Sequence, residues 1–121
     1  MKGENIAIRL RRFAARVITL CRGLPDETTA THISRQLVRA ATGGGANYEE
    51  ARGAESRADF AHKVAIANKE MRESLYWLQL LDEANLAPSD SIRPLASEAN
   101  ELVAILTSSL RTVRGPRNSE W

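Results

Sequence analysis

Three consecutive glycines, Gly43 to Gly45, stand between two strongly helical patterns in the stretch from Gln36 to Leu81, and any fold of this chain must accommodate them. Each interior glycine costs a helix ~1 kcal/mol relative to alanine, so three in a row are enough to break an isolated one. The apolar period nevertheless runs through them: Ile33, Leu37, Ala40, Gly44, Asn47 and Ala51 recur at steps of four and three. The spacing favours a continuous helix over about residues 29 to 51, with Ala40, Ala41, the glycines and Ala46 forming a smooth surface for a close neighbour. A glycine loop is the alternative. A phosphate-cradling loop would need a preceding strand and a following Gly-Lys-Ser/Thr, and the sequence has neither.

The same periodicity predicts three more helices. Ile6, Leu10, Phe13, Val17 and Leu20 mark the first, over about residues 4 to 22, which Gly23-Leu24-Pro25 ends through a left-handed glycine cap and a proline that cannot continue the ladder. Asp26 and Thr28 to Thr31 offer N-capping oxygens for the second. Ser56-Arg57-Ala58-Asp59 has capping-box spacing and opens the third, with its seam along Phe60, Val64, Ala67, Met71, Ser74, Leu78 and Leu81 to about residue 85. Ser89 or Asp90 can cap the fourth, which runs through Ile92, Leu95, Ala99, Leu102, Leu106, Ser109 and Val113. Four such helices joined by short turns imply an all-α, antiparallel up-down-up-down four-helix bundle. The domain is expected over residues 1–114 and a frayed tail over 115–121, with docking of Trp121 on a partner as the alternative.

Composition agrees: aromatic content is 5%, and Ala, Leu, Arg and Glu dominate. The net charge of +2 conceals an uneven distribution. Lys2, Arg9, Arg11, Arg12, Arg16 and Arg22 face only Glu4 in the first helix region, and Arg111, Arg114 and Arg117 face Glu120 at the other end. Such clusters suit phosphates, although arginines on a helix are also ordinary solvated surface. Cys21 is the single cysteine, so no internal disulfide forms, and its place beside Leu20 suggests a buried thiol in a reducing compartment. The first twenty residues carry too many arginines for a signal-peptide core, and no apolar run approaches the ~18 residues that span a bilayer. These features lead to an expectation of a soluble, cytoplasmic protein.

Helices two and three carry a combination of motifs: Gln36-Leu37-Val38-Arg39-Ala40, the small residues Gly43 to Gly45, then Ala46-Asn47-Tyr48-Glu49-Glu50. They are followed by Ser56, Asp59-Phe60, Lys69-Glu70 with Glu73, and the cluster Tyr76-Trp77-Leu78 with Leu80-Leu81. In these residues the chain resembles the four-helix-bundle family first noticed as reading frames in intervening sequences of bacterial 23S ribosomal RNA genes, over about residues 5 to 113. It departs at Ala51, where many relatives have glycine. The resemblance implies a bundle that assembles into a ring-like homopentamer. It also implies distant kinship with the accessory variability proteins of diversity-generating retroelements, which bind a reverse transcriptase and nucleic acid through a basic surface. It brings no enzymatic activity.

Arg9, Arg11, Arg12, Arg16, Arg111 and Arg114 are therefore the candidate nucleic-acid-binding residues, expected to hold RNA or DNA without sequence preference, because no base-reading motif or exposed aromatic platform is evident. Asn47 falls on the apolar seam with Glu50 a turn away, and a buried amide and carboxylate need partners such as Arg39 or Lys69. Asn47, Glu50, Lys69, Glu73 and Trp77 thus mark a polar network that fixes helix register or a subunit contact. Tyr76, Trp77 and Ile66 lie off the central seam and are candidates for assembly if they do not simply widen the core. A di-metal bundle would need two Glu-x-x-His units; only Asp59-x-x-His62 approximates one, and His32 sits apart. No catalytic residue, metal ligand or cofactor is assigned. A pure assembly or adaptor module, without nucleic acid, is the competing reading.

Overall fold

A computed structural model describes residues 3–115 as four helices, α1 (Gly3–Arg22), α2 (Thr28–Arg52), α3 (Arg57–Glu83) and α4 (Ser89–Arg114). Lys2, Arg117, Glu120 and Trp121 lie outside the described residues. Successive helices pack side by side and α1 closes on α4, whereas α1 and α3 make no close approach. This is the antiparallel up-down-up-down bundle that the periodicity predicts. At 1.5 Å per residue the 27 residues of α3 make it about 40 Å long.

The glycine run is continuous helix. A side-chain carbon added to Gly44 would stand 2.7 Å from Met71 Sδ and 3.7 Å from the Ala67 carbonyl, and one on Gly43 would collide with the Glu70 carboxylate. One on Gly45 would face Leu10 of α1 at 3.8 Å. Gly43 and Gly44 therefore let α2 lie close against α3, and tertiary contact offsets their poor intrinsic propensity.

Several local details differ from the sequence expectations. Glu27, not Asp26 or a threonine, caps α2 by accepting from the backbone N–H of Ala30 (2.5 Å) and Thr29 (3.3 Å). Ser56 accepts from the Asp59 N–H (3.0 Å) as its spacing predicts. Gly23 does not adopt a positive φ; α1 ends in simple turns, Gly23 N–H to Leu20 and Leu24 N–H to Cys21. The left-handed cap belongs instead to Asn85 (φ 57°) after α3, where Leu86 N–H reaches the Leu81 carbonyl and Asn85 N–H that of Asp82. Asparagine tolerates this conformation better than other side-chain-bearing residues. Neither Ser89 nor Asp90 caps α4, whose first turn follows Pro88. The Ser89 hydroxyl donates to Asp82 Oδ1 (2.5 Å) and ties the turn to α3.

Leu10, Phe13, Val17, Leu37, Val64, Met71, Leu78, Leu102 and Leu106 form the centre of the core. In α2 the buried stripe passes through Tyr48, not Asn47. At about 100° per residue Tyr48 lies about 40° from the direction of Gly44 and Asn47 about 60°, and the aromatic ring gains more from burial than an amide does. In α4 the last buried position is Leu110, not Ser109 or Val113. Asn68 is a buried amide that the periodicity does not single out: its Nδ2 donates to Thr107 Oγ1 of α4 (3.1 Å), and its Oδ1 has no partner among the described residues. Among the described residues, no helix is long and apolar enough to cross a membrane.

Candidate nucleic-acid interface

Helix α1 buries Ile6, Ala7, Leu10, Phe13, Ala14 and Val17 against the bundle, which leaves its arginines on the other side. Arg11, Arg12, Arg16 and Arg22 are exposed, together with Ala15 and Thr19. Arg11 borders the groove between α1 and α2, and Arg16 borders the one between α1 and the start of α4. None of these four has a carboxylate within ion-pair distance among the described residues, and Glu4, the one acid on α1, lies near its start. The result is a run of cations along one helix, without lysine-like compactness but with guanidinium forks suited to phosphate oxygens.

Arg9 is not part of that run. Its Nε and a terminal nitrogen engage both oxygens of Glu98 at 3.0 and 2.6 Å, and the same nitrogen reaches Glu101 at 3.3 Å. The hydrogen bond to Glu98 is the main cause that holds its guanidinium even more firmly protonated than usual. With three-quarters of its side chain covered, Arg9 is engaged as a clamp between α1 and α4 and, unlike the other arginines of that helix, is not an unpaired cation. Arg111 and Arg114 are exposed but do not join the α1 cations. Arg9 is level with Glu98, so Arg111 lies 13 residues, about 20 Å, further along α4 at the opposite end.

The expected polar network separates into four unconnected pieces. Asn47 is half-buried and donates to the Gly43 carbonyl of its own helix (2.9 Å). Glu50 is exposed and pairs with Lys63 (2.7 Å), and Lys69 is exposed on the outer side of α3. Glu73 takes the Arg39 guanidinium from α2 and the Trp77 indole N–H (3.0 Å), with Glu70 3.6 Å from Arg39. Trp77 is half-buried, edge-on to His32 and to Tyr76 at ring-centre distances of 6.1 and 5.0 Å. Trp77 is thus tied into the α2–α3 seam, while Tyr76 is 55% exposed and is the one large hydrophobic side chain that projects outward among the described residues. Of the three side chains expected off the central seam, Tyr76 is the one that stands exposed.

Two further groups bear on chemistry. Burial pushes the Cys21 thiol pKa up, against a smaller opposing hydrogen bond with Ser34, so the arginines of α1 do not activate it. Among the described residues no three His, Cys, Asp or Glu side chains converge as a metal site.

Comparison with known proteins places this geometry. The sequence profile of the family described as 23S rRNA-intervening sequence protein matches residues 5–108. A crystal structure from Bacteroides thetaiotaomicron VPI-5482, described as a protein with unknown function from the S23 ribosomal protein family, superposes with a TM-score of 0.83 at 34% identity. The match covers 91% of this chain and 98% of that one. No curated protein matches.

Proposed function

The chain belongs to the 23S rRNA-intervening sequence protein family, and from that premise we propose that it is a non-enzymatic, nucleic-acid-associated accessory protein that works as a cytoplasmic homopentamer. The observation that carries the reading is the outer face of α1, where Arg11, Arg12, Arg16 and Arg22 stand exposed with no carboxylate within ion-pair distance among the described residues; Glu4 and Glu49 share the groove of Arg11, and Asp90 that of Arg16. Cyclic assembly would repeat this face around an axis and convert a few phosphate contacts per chain into useful avidity. Partnership with a reverse transcriptase follows from the likeness to the accessory variability proteins and is tested by co-purification with such an enzyme encoded beside the gene.

Binding is expected to be indifferent to sequence and sensitive to salt. Three phosphate contacts per chain on single-stranded RNA give a slope of log affinity against log salt of about −2, so each chain's affinity falls about 20-fold between 50 and 200 mM salt. Fluorescence anisotropy with a short mixed-sequence RNA measures this. Replacing Arg11, Arg12 and Arg16 together by Gln should abolish binding, and unchanged affinity in that triple variant would sink the reading.

The competing reading, an assembly or adaptor module without nucleic acid, has Tyr76 in its favour. Light scattering on Tyr76→Asp separates the two: loss of the oligomer with RNA uptake absent throughout selects the adaptor.

A further inference from the structure

The end of the bundle where α1 begins and α4 stops holds a cavity of 730 Å³ bounded by all four helices. Its floor is apolar, built by Ile6, Phe60 and Ile105, while Arg52 and Arg57 stand on its walls. Tyr48 is only 2% exposed as a residue, yet its hydroxyl, which no described residue hydrogen-bonds, opens to the solvent of the cavity. A tyrosine with a buried ring and a wet tip keeps that O–H available to a partner. Gly3 leaves the space beside it open: a side-chain carbon there would lie 3.4 Å from the Tyr48 hydroxyl and 4.0 Å from Arg52 Nε, so both groups converge on one point.

The charged groups here are donors, and the Ser108, Ser109 and Thr112 hydroxyls on the α4 side can donate or accept. Arg52 commits one terminal nitrogen to Glu49 (2.8 Å) and keeps its other N–H groups, and Arg57 has no carboxylate within ion-pair distance among the described residues. The starts of α1 and α3 and the ends of α2 and α4 share this end of the bundle. Their dipoles offset one another, so the positive potential rests on the two guanidinium groups. A volume in the range of small-molecule sites, an apolar floor and a few convergent donors fit one class of ligand.

We propose that this cavity binds a small amphipathic anion. Its hydrocarbon or aromatic body covers Ile6, Phe60 and Ile105, and its carboxylate or phosphate head accepts hydrogen bonds from the Tyr48 hydroxyl, Arg52 and Arg57. The site is separate from the outer face of α1, because Gly3 and Ile6 project from the inner side of that helix. It stands whether or not the chain binds nucleic acid.

The test titrates the full-length protein with anilinonaphthalene sulfonate, an aromatic anion that fluoresces when shielded from water, and then displaces it with octanoate, octyl phosphate, octanol or inorganic phosphate. Saturable uptake is expected, reversed by octanoate or octyl phosphate and by neither octanol nor inorganic phosphate. The better displacer of the first two identifies the head group. Tyr48→Phe, which keeps the buried ring, and Arg57→Gln should each weaken uptake about tenfold, the loss of one hydrogen bond to a charged group. Ile105→Trp should block it, and the Arg11, Arg12, Arg16 triple variant should leave it unchanged. Absence of saturable uptake overturns the proposal, as does uptake indifferent to Tyr48→Phe, Arg57→Gln and Ile105→Trp in variants whose melting remains cooperative. Equal displacement by octanol overturns it as well.

Discussion

The α2–α3 seam and the α1–α4 seam close the same bundle by different means. Between α2 and α3 the contact is one of shape: Gly44 admits Met71 and the Ala67 backbone, Gly43 admits Glu70, and the Arg39–Glu73 pair lies at the rim. Between α1 and α4 the approach is looser, and the strongest specific contact is the Arg9 fork on Glu98. Clefts open on either side of that clamp, one lined by Ile6 and Val113 and the other by Leu20 and Pro88. A glycine run that resembles a ligand loop is therefore a packing device, and an arginine that resembles a docking group is a structural one.

The sharpest way to break this comparison is to add volume to the close seam. Gly44→Leu forces atoms into Met71 and should cost about 3 kcal/mol, at the upper end for overpacking a core. Gly45→Ala meets only ordinary contacts at 3.8 Å and gains helix propensity, so it should be neutral or stabilise by up to ~1 kcal/mol. Urea denaturation of the two variants reads the difference. If Gly44→Leu proves no more costly than Gly45→Ala, the glycines do not serve close approach.

The charged seam predicts a smaller effect that depends on salt. Arg9→Gln should cost about 1–2 kcal/mol at low salt, since the pair is bidentate but a fifth to a quarter exposed. The cost should shrink near 1 M salt, where the screening length is ~3 Å. Gly44→Leu should show no such dependence. Arg9→Gln should also leave RNA affinity intact while it lowers stability, the reverse of the Arg11, Arg12, Arg16 triple variant. Equal loss of RNA binding in both would return Arg9 to the docking face.

The helices themselves were legible in the sequence to within one or two residues, because four long amphipathic patterns and their breakers repeat one signal. Continuity through Gly43 to Gly45 was legible too, since the period crosses them without a shift. What escaped depends on register between helices. The period of the first helix places Arg9 at the edge of the apolar stripe and Arg12 on the far side, but only the antiparallel alignment with α4 brings Glu98 opposite Arg9. Asn47 and Tyr48 differ by about 20° in their distance from the seam, within the ambiguity of a three-or-four step. Asn68 is buried because α4 covers it, and the two arginine clusters fall more than about 20 Å apart because α1 and α4 run in opposite directions. The cavity and its Tyr48 hydroxyl needed all four helix ends in place.

The smallest predicted effect concerns that hydroxyl. Burial pushes the Tyr48 pKa above its usual value of 10, Arg52 pulls it back, and Glu49 adds a further upward push. The folded chain thus keeps the phenolic proton to higher pH than the unfolded chain. As pH rises through 10 the unfolded state ionises first, and stability falls. Tyr48→Phe removes this dependence, so the melting temperatures of wild type and variant should run parallel below about pH 9 and diverge above pH 10, the variant losing less. Cys21, whose thiol pKa is also raised by burial, contributes equally to both proteins and cancels from the difference. Parallel curves throughout would mean that the hydroxyl meets water as freely in the folded chain as in the unfolded one. The open end of the α1–α4 seam would then be a solvated notch, and its contrast with the close, glycine-packed seam would be one of depth as well as of charge.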